Sequence, residues 1–514
     1  MNKAHFLWVD DEIDLMKPYI LFLQEKGYKT DCAVSGNDAL EMCSRKRYDI
    51  LFLDEQMPGI SGLEALSRLH ATHPDLPVVM VTRSEDEGIM EQAIGNRISD
   101  YLIKPVNPNQ ILLTVKKILD RKELITERAT DNYREAFRKI SDEMEQCGSA
   151  KEWMTLYRRL VYWELELEQA DHPFKELLQV QKREANSAFA RFVRRNYERW
   201  MILPAERPLI SPELFEKVLL PLLGNGEKLF FILIDNFRLD QWLTVKAIVS
   251  EHYTIQEELY CSILPTATPY ARNAIFSGLM PRKLAELYPD LWVNEGEEEG
   301  MNLREEELIR RQLERLGIRK SFSYHKISSN REGERLLSRF SGLLKNDLNV
   351  FVFNFIDMLS HAGNESVVMR ELTADESAYR SLTRSWFMHS PLRILLAEIA
   401  TLGATVVLTT DHGAIRVKNG VTIAGERETN VSLRYKLGRN LGYDPSRVFD
   451  ILHPENCGLP APHMSTRYLF ALNSDLLAFP NNYHQYLSRF ENSYQHGGVS
   501  MEEMLIPLVT LIPK

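Results

Sequence analysis

The chain has 514 residues, of which 62 are Lys or Arg and 72 are Asp or Glu, so its formal net charge is −10. This length predicts two to four domains, and hydrophobic and charged fractions of 44% and 26% indicate a soluble globular protein. An acidic chain is a poor general binder of nucleic acid, because such binding rests on phosphate neutralisation by Lys and Arg. A regulator that binds DNA directly is therefore disfavoured.

The five cysteines lie far apart and include no CxxC pair, which favours a reducing compartment and argues against a zinc site with Cys ligands. No basic-then-apolar leader opens the chain. No apolar run approaches the roughly 18 residues that a membrane-spanning helix needs. We therefore expect a cytoplasmic protein without membrane insertion.

Residues 1–120 alternate short apolar strands with helical stretches, which predicts a doubly wound α/β domain with a parallel sheet. Such sheets place their sites at the carboxyl ends of the strands. Five polar residues stand at these ends: Asp10, Asp11, Asp54, Thr82 and Lys104. The carboxylates can bind Mg²⁺, while the hydroxyl and the ammonium can hold the oxygens of a phosphoryl group. A full set of five disfavours the alternative that each Asp merely caps a helix.

This part of the chain resembles the receiver domain of response regulators over nearly its whole length. The resemblance implies that Asp54 accepts a phosphoryl group from a sensor histidine kinase. It also implies that Mg²⁺ is bound by Asp10, Asp11 and Asp54.

The same resemblance implies that Thr82 and Lys104 form the switch pair and that Tyr101 is the aromatic residue that changes its burial. Arg83 stands where the family usually has a small residue. This departure leaves the lifetime of the aspartyl phosphate open.

Residues 121–205 change to a helical pattern. Apolar residues recur every three or four positions in two stripes, which are Trp153, Leu156, Leu160, Trp163, Leu167 and Phe189, Val193, Tyr197, Trp200. This spacing predicts about three amphipathic helices packed as a bundle. It favours a bundle core over a surface on which nucleotides stack. Pro204 and Pro208 mark the boundary of the next unit.

Residues 206–514 form the largest predicted unit, again an α/β domain. Its long apolar strands end directly before metal-capable residues, and the candidates in and beyond these strand ends are Asp235, Asp357, His361, Asp411, His412 and His496. Three Asp and three His side chains suit a two-zinc site with mixed oxygen and nitrogen ligands. The acidic stretch Asn294–Leu308 indicates a solvated loop and a helix start.

The stretch Leu264–Leu279 holds two threonines in a Pro-Thr-Ala-Thr-Pro turn before a helix. Pro265 and Pro269 favour an extended entry and a fixed helix start, which aims a hydroxyl at the positive end of the helix. Taken alone, this pattern favours a capping threonine over a catalytic one. The metal-capable residues elsewhere in the unit shift the balance towards catalysis by one of the two threonines.

Candidate substrate contacts are less specific. Arg272 and Asn273 can serve phosphate oxygens or be ordinary exposed helix residues. A basic run follows Asp411-His412 and comprises Arg416, Lys418, Arg427, Arg434, Lys436 and Arg439. This run either lines a groove that tracks a nucleic-acid backbone or forms a solvated hairpin, and the sequence leaves both readings open.

The strand-end Asp, Pro-Thr-x-Thr, Asp-x-x-x-His, Asp-His-Gly and His-Gly-Gly patterns, spread over about 225–510, resemble the PglZ branch of the alkaline phosphatase superfamily. The resemblance implies one zinc site of Asp235, Thr268, Asp411 and His412, and a second of Asp357, His361 and His496. It places Thr268 at the nucleophile position and Thr266 two residues before it.

The order of receiver, helical segment and PglZ-like unit is similar to that of the PorX family of response regulators, which implies a link to type IX secretion. The resulting hypothesis is a two-zinc phosphodiesterase for short linear or cyclic oligonucleotides, whose homodimerisation is controlled by phosphorylation of Asp54. The alternative is a signalling adaptor, in which the zinc domain is a binding module for a transcription or secretion partner.

Overall fold

The computed structural model describes residues 4–73, 76–82, 98–169, 174–223, 228–294, 302–365, 367–373, 375–425, 430 and 432–514, with backbone alone at 120–132, 134, 169, 363–365, 367–368 and 482. The chain divides into two compact units, Met1–Asp131 and Asn132–Lys514. Each unit has its own sheet and core, and each is described separately below.

The first unit is built around a five-stranded parallel sheet, as the alternation of strands and helices predicted. The strand order is β2-β1-β3-β4-β5, and every neighbouring pair runs parallel. Its elements are β1 His5–Val9, α1 Ile13–Glu25, β2 Lys29–Ala33, α2 Gly36–Arg45, β3 Ile50–Asp54, α3 Gly62–Thr72, β4 Val78–Thr82 and β5 Asp100–Ile103. Strands β3 and β4 are buried along their whole length, which is why both read as unbroken apolar runs.

Three long helices follow, namely α4 Pro108–Gln146, α5 Ala150–Gln169 and α6 Lys175–Ile202. Both predicted apolar stripes lie in the core: Trp153 and Leu160 of α5 and Val193 and Tyr197 of α6 are almost fully buried. These side chains belong to the same continuous core as the sheet of the second unit. The described part of the helical segment from residue 132 onward is therefore packed as part of that unit.

The second unit has a six-stranded sheet in the order β7-β18-β10-β6-β9-β8. Its strands are β6 Leu229–Ile234, β7 Tyr253–Cys261, β8 Phe322–Ile327, β9 Leu348–Phe353, β10 Thr405–Thr409 and β18 Leu505–Pro513. Strands β10, β6, β9 and β8 run parallel, whereas β18 is antiparallel to both of its neighbours. The shorter strands are β11 Ile415–Arg416, β12 Asn419–Thr422, β13 Tyr435–Gly438, β14 Val448–Ile451, β15 Arg467–Ala471, β16 Asp475–Ala478 and β17 Tyr494–Gln495.

Helices surround this sheet. They are α7 Leu220–Leu223, α8 Leu239–Val249, α9 Thr268–Ser277, α10 Pro281–Leu287, α11 Glu305–Arg315, α12 Asn330–Leu337, α13 Phe340–Leu343, α14 Phe355–Glu365, α15 Val367–Leu372, α16 Glu376–His389, α17 Pro391–Thr401, α18 Tyr483–Phe490 and α19 Met501–Met504.

The topology brings three acidic residues to one edge of the second sheet. Strand β6 lies between β10 and β9 and runs parallel to both. Asp235 follows β6, Asp411 comes just after β10, and Asp357 lies in the first turn of α14 beyond β9. Because the carboxyl ends of adjacent parallel strands meet at one edge, the three carboxylates converge there.

Candidate functional site

The first unit gathers three carboxylates at the carboxyl edge of its sheet. Asp10, Asp11 and Asp54 each offer an oxygen, and these atoms lie within 4.8 Å of one another. Asp10 and Asp54 are buried, while Asp11 is exposed, so the cluster opens to solvent on one side. The Nζ of Lys104 lies 2.7 Å from Asp10 and 3.0 Å from Asp54. An oxygen-only ligand set of this kind fits Mg²⁺.

The electrostatics of this cluster favour a bound cation. Burial raises the pKa of Asp54 to about 6, with further upward contributions from Asp10 and Asp11, although Lys104 acts in the opposite direction. Burial alone would lower the pKa of Lys104, but its hydrogen bonds to Asp10 and Asp54 raise it. One ammonium group thus offsets three crowded carboxylates only in part.

Two further residues of the expected switch, Thr82 and Tyr101, lie in β4 and β5 of this sheet. Thr82 is buried, and its hydroxyl donates a 2.5 Å hydrogen bond to Glu55, a partner that the sequence did not suggest. Tyr101 lies in β5 and is partly buried. Arg83 lies outside the described residues.

In the second unit, one cluster joins Asp235, Asp411 and His412, whose potential ligand atoms also lie within 4.8 Å of one another. All three side chains are buried. His412 Nε2 lies 3.8 Å from Asp235 Oδ1 and 3.9 Å from Asp411 Oδ2. His412 Nδ1 lies 3.1 Å from the carbonyl oxygen of Gly413. Since a carbonyl only accepts, Nδ1 carries the proton there and Nε2 presents its lone pair to the cluster.

Thr268 completes this first cluster. Its hydroxyl oxygen lies 3.0 Å from His412 Nε2 and 3.4 Å from Asp235 Oδ1. The N-cap of α9 is Ala267, whose side chain makes no capping hydrogen bond, and Thr268 is the first helical residue. The Thr268 side chain therefore points at the cluster, and Thr268 is not the N-cap residue of α9.

Thr266 has a different environment, although it lies only two residues earlier. It is fully buried, donates a 2.8 Å hydrogen bond to the carbonyl of Gly498, and accepts a 3.1 Å bond from the Gly497 N–H. Both functions of its hydroxyl are used by backbone groups. Thr266 thus joins the turn to the segment that carries His496.

A second cluster joins Asp357, His361 and His496. His361 Nε2 lies 3.5 Å from Asp357 Oδ2, and His496 Nε2 lies 3.7 Å from Asp357 Oδ1. Asp357 and His361 stand four residues apart in α14, so they share one face of the helix. The His361 side chain is 55% exposed, whereas those of Asp357 and His496 are 18% and 17% exposed. This cluster is therefore the more open of the two.

The two clusters are adjacent. The rings of His412 and His496 stack with their centroids 4.2 Å apart and their planes inclined by 22°. His361 lies edge-on to His496 at 5.8 Å.

The donor atoms fit metal ions. Each cluster mixes carboxylate oxygens with imidazole nitrogens, which suits zinc. Burial lowers the pKa of His496 to about 3, with His412 acting in the same direction, so its ring is neutral as a ligand must be. Burial raises the pKa of Asp235 well above its usual range, with Asp411 and Asp357 adding to the effect, which indicates a concentration of negative charge that a cation would relieve.

Arg272 lies within the first cluster and is not an exposed helix residue. It is 1% exposed, its Nε donates to Asp411 at 3.0 Å, and its Nη2 contacts Asp235. Its Nη1 donates to Glu305 at 3.2 Å. Asn273 is likewise buried in α9. The exposed-helix alternative is therefore wrong for both residues, and Arg272 offsets the charge of the carboxylates it touches.

Glu305 is the site residue that the sequence analysis missed. It stands in the acidic stretch assigned to solvent, yet it is 2% exposed and also accepts hydrogen bonds from Tyr324 and Lys326. Within that stretch, residues 295–301 lie outside the described part of the chain. The sequence did contain one signal, because Arg272 is a single cation close to several predicted acidic ligands. A buried guanidinium needs acidic partners, and Glu305 is one of them.

Two members of the basic run after His412 are buried and line no surface groove. Arg434 is fully buried and makes a two-armed ion pair with Glu503, and it also donates to the carbonyl of Asp475. Lys436 is fully buried as well, with its Nζ 4.4 Å from the centre of the Phe479 ring. Both were expected at a surface, and this expectation is wrong because each packs inside the fold. Arg427 lies outside the described residues.

Comparison with known families places this geometry in context. Three family models match along the chain: the response regulator receiver domain at residues 6–142, the PorX response regulator linker domain at 123–201, and the BREX system PglZ alkaline phosphatase-like domain at 214–511. The chain is a response regulator that joins a receiver to a phosphatase-like unit. Because the third model covers more than half of it, the chain belongs to the PglZ alkaline phosphatase-like family, in the domain order of PorX-type proteins.

This membership carries general consequences. A receiver domain implies a kinase partner and binds Mg²⁺, and alkaline phosphatase-like domains are typically metal-dependent hydrolases. Within the described residues, no helix is long and apolar enough to cross a membrane.

Individual relatives match the receiver region. The chain is similar to the transcriptional regulatory protein ResD of Bacillus subtilis, at 30% identity over 120 residues, which is 23% of this chain and 50% of ResD. It is also similar to the cyclic di-GMP phosphodiesterase response regulator RpfG of Xanthomonas campestris pv. campestris, at 35% identity over 17% of this chain and 23% of RpfG. The chain thus spans half or less of these two relatives.

Solved structures match the same region. One is the response regulator protein TrrA from Thermotoga maritima in complex with Mg(2+)-BeF, at 30% identity, which covers 22% of this chain and 98% of TrrA with a TM-score of 0.21. Another is a putative response regulator from Chloroflexus aurantiacus, at 30% identity, 23% and 99% coverage and a TM-score of 0.23.

Proposed function

We propose that this chain is a phosphodiesterase that depends on two zinc ions in its second unit and is controlled by phosphorylation of Asp54 in its first. The observation that carries the proposal is the placement of Thr268. Its hydroxyl lies 3.0 Å from His412 and 3.4 Å from Asp235, beside a second cluster of three potential ligands. A threonine that only caps a helix or packs in a core does not require potential metal ligands around its hydroxyl.

The residues present define how the site would work. One zinc would be held by Asp235, Thr268, Asp411 and His412, and the other by Asp357, His361 and His496. Zinc bound there would polarise the phosphoryl oxygens and lower the pKa of the Thr268 hydroxyl.

Thr268 acts as the nucleophile in this proposal. Its Oγ attacks phosphorus in line, so that an Oγ–P bond forms while the ester bond to the leaving alcohol breaks. Water then cleaves the Oγ–P bond and frees both the second product and the threonine. Arg272 holds Asp235 and Asp411 in place by contacting both carboxylates. Because these contacts occupy its guanidinium group, Arg272 is unsuited to bind the substrate.

The proposed substrate class is a phosphodiester, specifically a short linear or cyclic oligonucleotide. A monoester carries one more negative charge than a diester, and its cleavage benefits from an additional cation near the phosphate. Within the described residues of the second unit, only two clusters of potential ligands are present. The burial of Arg434 and Lys436 removes the basic groove as support, so the diester assignment rests on the two-metal site.

A direct comparison tests this assignment. The zinc-loaded 514-residue protein is assayed on bis-p-nitrophenyl phosphate and on p-nitrophenyl phosphate, and then on di- and trinucleotides, with the metal content of the same sample measured. We expect two zinc ions per chain and a higher kcat/KM for the diester. A preference for the monoester would contradict the diesterase proposal.

Thr268→Ala is the sharpest single variant. It should keep both metals, because three other side chains remain in its cluster, but lose at least about a thousandfold in kcat because the nucleophile is gone. Metal analysis and the diester assay check both parts. Full activity in this variant would remove Thr268 from the mechanism, and Thr266 would be tested next.

The proposed activity is controlled by the first unit. A sensor histidine kinase phosphorylates Asp54, and the phosphorylated chain forms a homodimer that serves control of type IX secretion from the cytoplasm. The alternative is an adaptor, whose metal clusters stabilise a binding surface for a transcription or secretion partner. Complete metal binding without turnover of any diester would favour the adaptor.

A further inference from the structure

A cavity of about 330 Å³ lies between the helical segment and the sheet-bearing part of the second unit. Helices α5 and α6 form one wall, and the start of α16, strand β11 and the residues after it form the others. This volume is at the lower end of the range for small-molecule sites, about 300–1,000 Å³. The cavity is separate from the two metal clusters, since none of their ligands lines it.

The acidic side chains of this cavity are already engaged. Glu164 accepts from Lys182 at 2.7 Å and from Arg380 at 3.2 Å, and Glu168 pairs with Arg380 as well. Glu502 lies 3.5 Å from Lys182.

The remaining two acidic groups are also occupied. Glu376 pairs with Arg238, which lies outside the cavity, and Asp375 accepts the Ala378 N–H as the cap of α16. Four of the five carboxylates are therefore paired with Lys182, Arg380 or Arg238, which leaves further cations of the lining outside these pairs.

Three of those cations stand without an ion pair among the described residues. They are Arg183 on α6, Arg416 in β11 and Lys418 just after it. Arg416 has one neutral contact, a 3.2 Å hydrogen bond from its Nε to the carbonyl of Asn492. Burial lowers the pKa of Lys418, and the nearby Arg416 and Arg183 lower it further, whereas Glu376 acts in the opposite direction. All three side chains line this one cavity, where their like charges repel one another.

We propose that this cavity binds a small phosphorylated anion through Arg183, Arg416 and Lys418. Guanidinium groups match the oxygens of a phosphoryl group in a two-armed manner, and an ammonium group adds a point charge. The limited volume suits a phosphate or a phosphate with a small organic group. It does not suit a protein segment or a nucleic-acid chain.

One wall of the cavity belongs to the helical segment, and the others belong to the sheet-bearing part of the second unit. Its helical wall includes Asn186, whose side chain donates to Glu502 at 2.9 Å and accepts from the Met501 N–H at 2.8 Å. The Glu502 carbonyl lies against Gly413, next to the metal-cluster residue His412. An anion bound here would therefore contact the helical segment and the part of the unit that carries the metal ligands.

Calorimetric titration of the 514-residue chain tests the proposal with inorganic phosphate, pyrophosphate and AMP as probes. The double variant Arg183→Gln, Lys418→Gln should bind the preferred probe at least roughly tenfold more weakly for each cation removed. Arg191→Gln is the matched control, because Arg191 is exposed on the same helix and does not line the cavity. This control should bind as the wild type does.

The titrations distinguish binding in the cavity from binding at the other clusters of the chain. A probe that also binds the metal clusters or the aspartate cluster of the first unit will show a second event that the double variant retains. AMP bound more tightly than phosphate would assign a nucleoside to the cavity, and equal affinities would assign the inorganic group alone. Unchanged binding of all three probes in the double variant would overturn the proposal, whether or not the protein proves to be a phosphodiesterase.

Discussion

Two threonines only two residues apart meet different neighbours. Thr268 faces the ligand cluster, whereas Thr266 is hydrogen-bonded to the backbone at Gly497 and Gly498. Their sequence contexts are nearly alike, since each lies next to a proline in the same turn. The difference arises from contacts with His412, Gly497 and Gly498, which lie more than 140 residues further along the chain. The local sequence around the two threonines does not reveal these contacts.

The contacts of Thr266 predict a loss of stability and not of chemistry when it is changed. Thr266→Ala leaves the buried Gly497 N–H without an acceptor, which costs about 1–3 kcal/mol. Thr266→Ser keeps the hydroxyl and should cost only about 1 kcal/mol for the lost methyl group. Urea denaturation of the two variants measures this difference. Equal stabilities would show that the hydroxyl is not the important part of the side chain.

The cluster of Asp357, His361 and His496 offers a similar comparison. His361→Ala should lose one metal per chain but leave the metal-free protein within about 0.5 kcal/mol of the wild type, because its side chain is 55% exposed. His496→Ala should lose the same metal and also destabilise the metal-free chain by about 1 kcal/mol, because its ring stacks on His412.

Elemental analysis and denaturation in the presence of a chelator check both values. Two metals retained in His361→Ala would place the second ion elsewhere.

Some contacts of single residues could be predicted from the sequence, and others could not. Asp235, Asp357 and Asp411 were predictable as neighbours, because apolar strands end directly before them or one turn earlier and parallel strands share an edge. The burial of Arg434 was not, because its partner Glu503 lies 69 residues away and looks like any surface glutamate. Charge patterns alone do not tell a solvated cation from a buried pair.

At the scale of elements, helices α5 and α6 are joined to the sheet-bearing part by buried ion pairs. Lys182 of α6 binds Glu164 of α5 at 2.7 Å, and Arg380 of α16 binds both Glu164 and Asp240. The apolar stripes predicted the helices and their cores. They did not predict that these helices share a core with the sheet, because a helix stripe does not specify its partner.

This ion-pair network predicts a pH dependence. Burial would raise the pKa of Glu164, but Lys182 and Arg380 together lower it below the usual value of 4.5. A carboxyl whose pKa is lower in the folded state stabilises the fold above its unfolded pKa. That stabilisation is lost as the pH falls through the folded pKa, at up to about 1.4 kcal/mol per pH unit for one group.

Glu164→Gln is the test. It should cost about 3–5 kcal/mol at pH 7, because it weakens the pairing of buried Lys182, and it should flatten the loss of stability below about pH 4.5. Denaturation between pH 3 and pH 7 measures both effects, with Glu166→Gln on the same helix as the control. A variant whose acid profile parallels that of the wild type would exclude Glu164 as a source of the pH dependence.

At the scale of the whole molecule, the proposed switch acts through self-association. A phosphoryl mimic bound at Asp54 should shift a pre-existing equilibrium towards a dimer, because it adds charge next to Lys104 and Thr82. Asp54→Ala should stay monomeric under the same conditions. Light scattering of both proteins, with and without the mimic, gives the mass. A wild-type chain whose mass does not change would contradict the proposal.

Strand β18 lies inside the six-stranded sheet, between β7 and β10, and not at an edge. Its register pairs Cys261 with Leu505 and Tyr253 with Pro513, positions more than 240 residues apart in the chain. Closing such a loop costs about 3 kcal/mol more than closing one of ten residues. Until β18 inserts, β7 and β10 would each expose an unpaired edge, which favours aggregation. Refolding should therefore be slow and dependent on concentration, with the sheet completed only when this strand enters its centre.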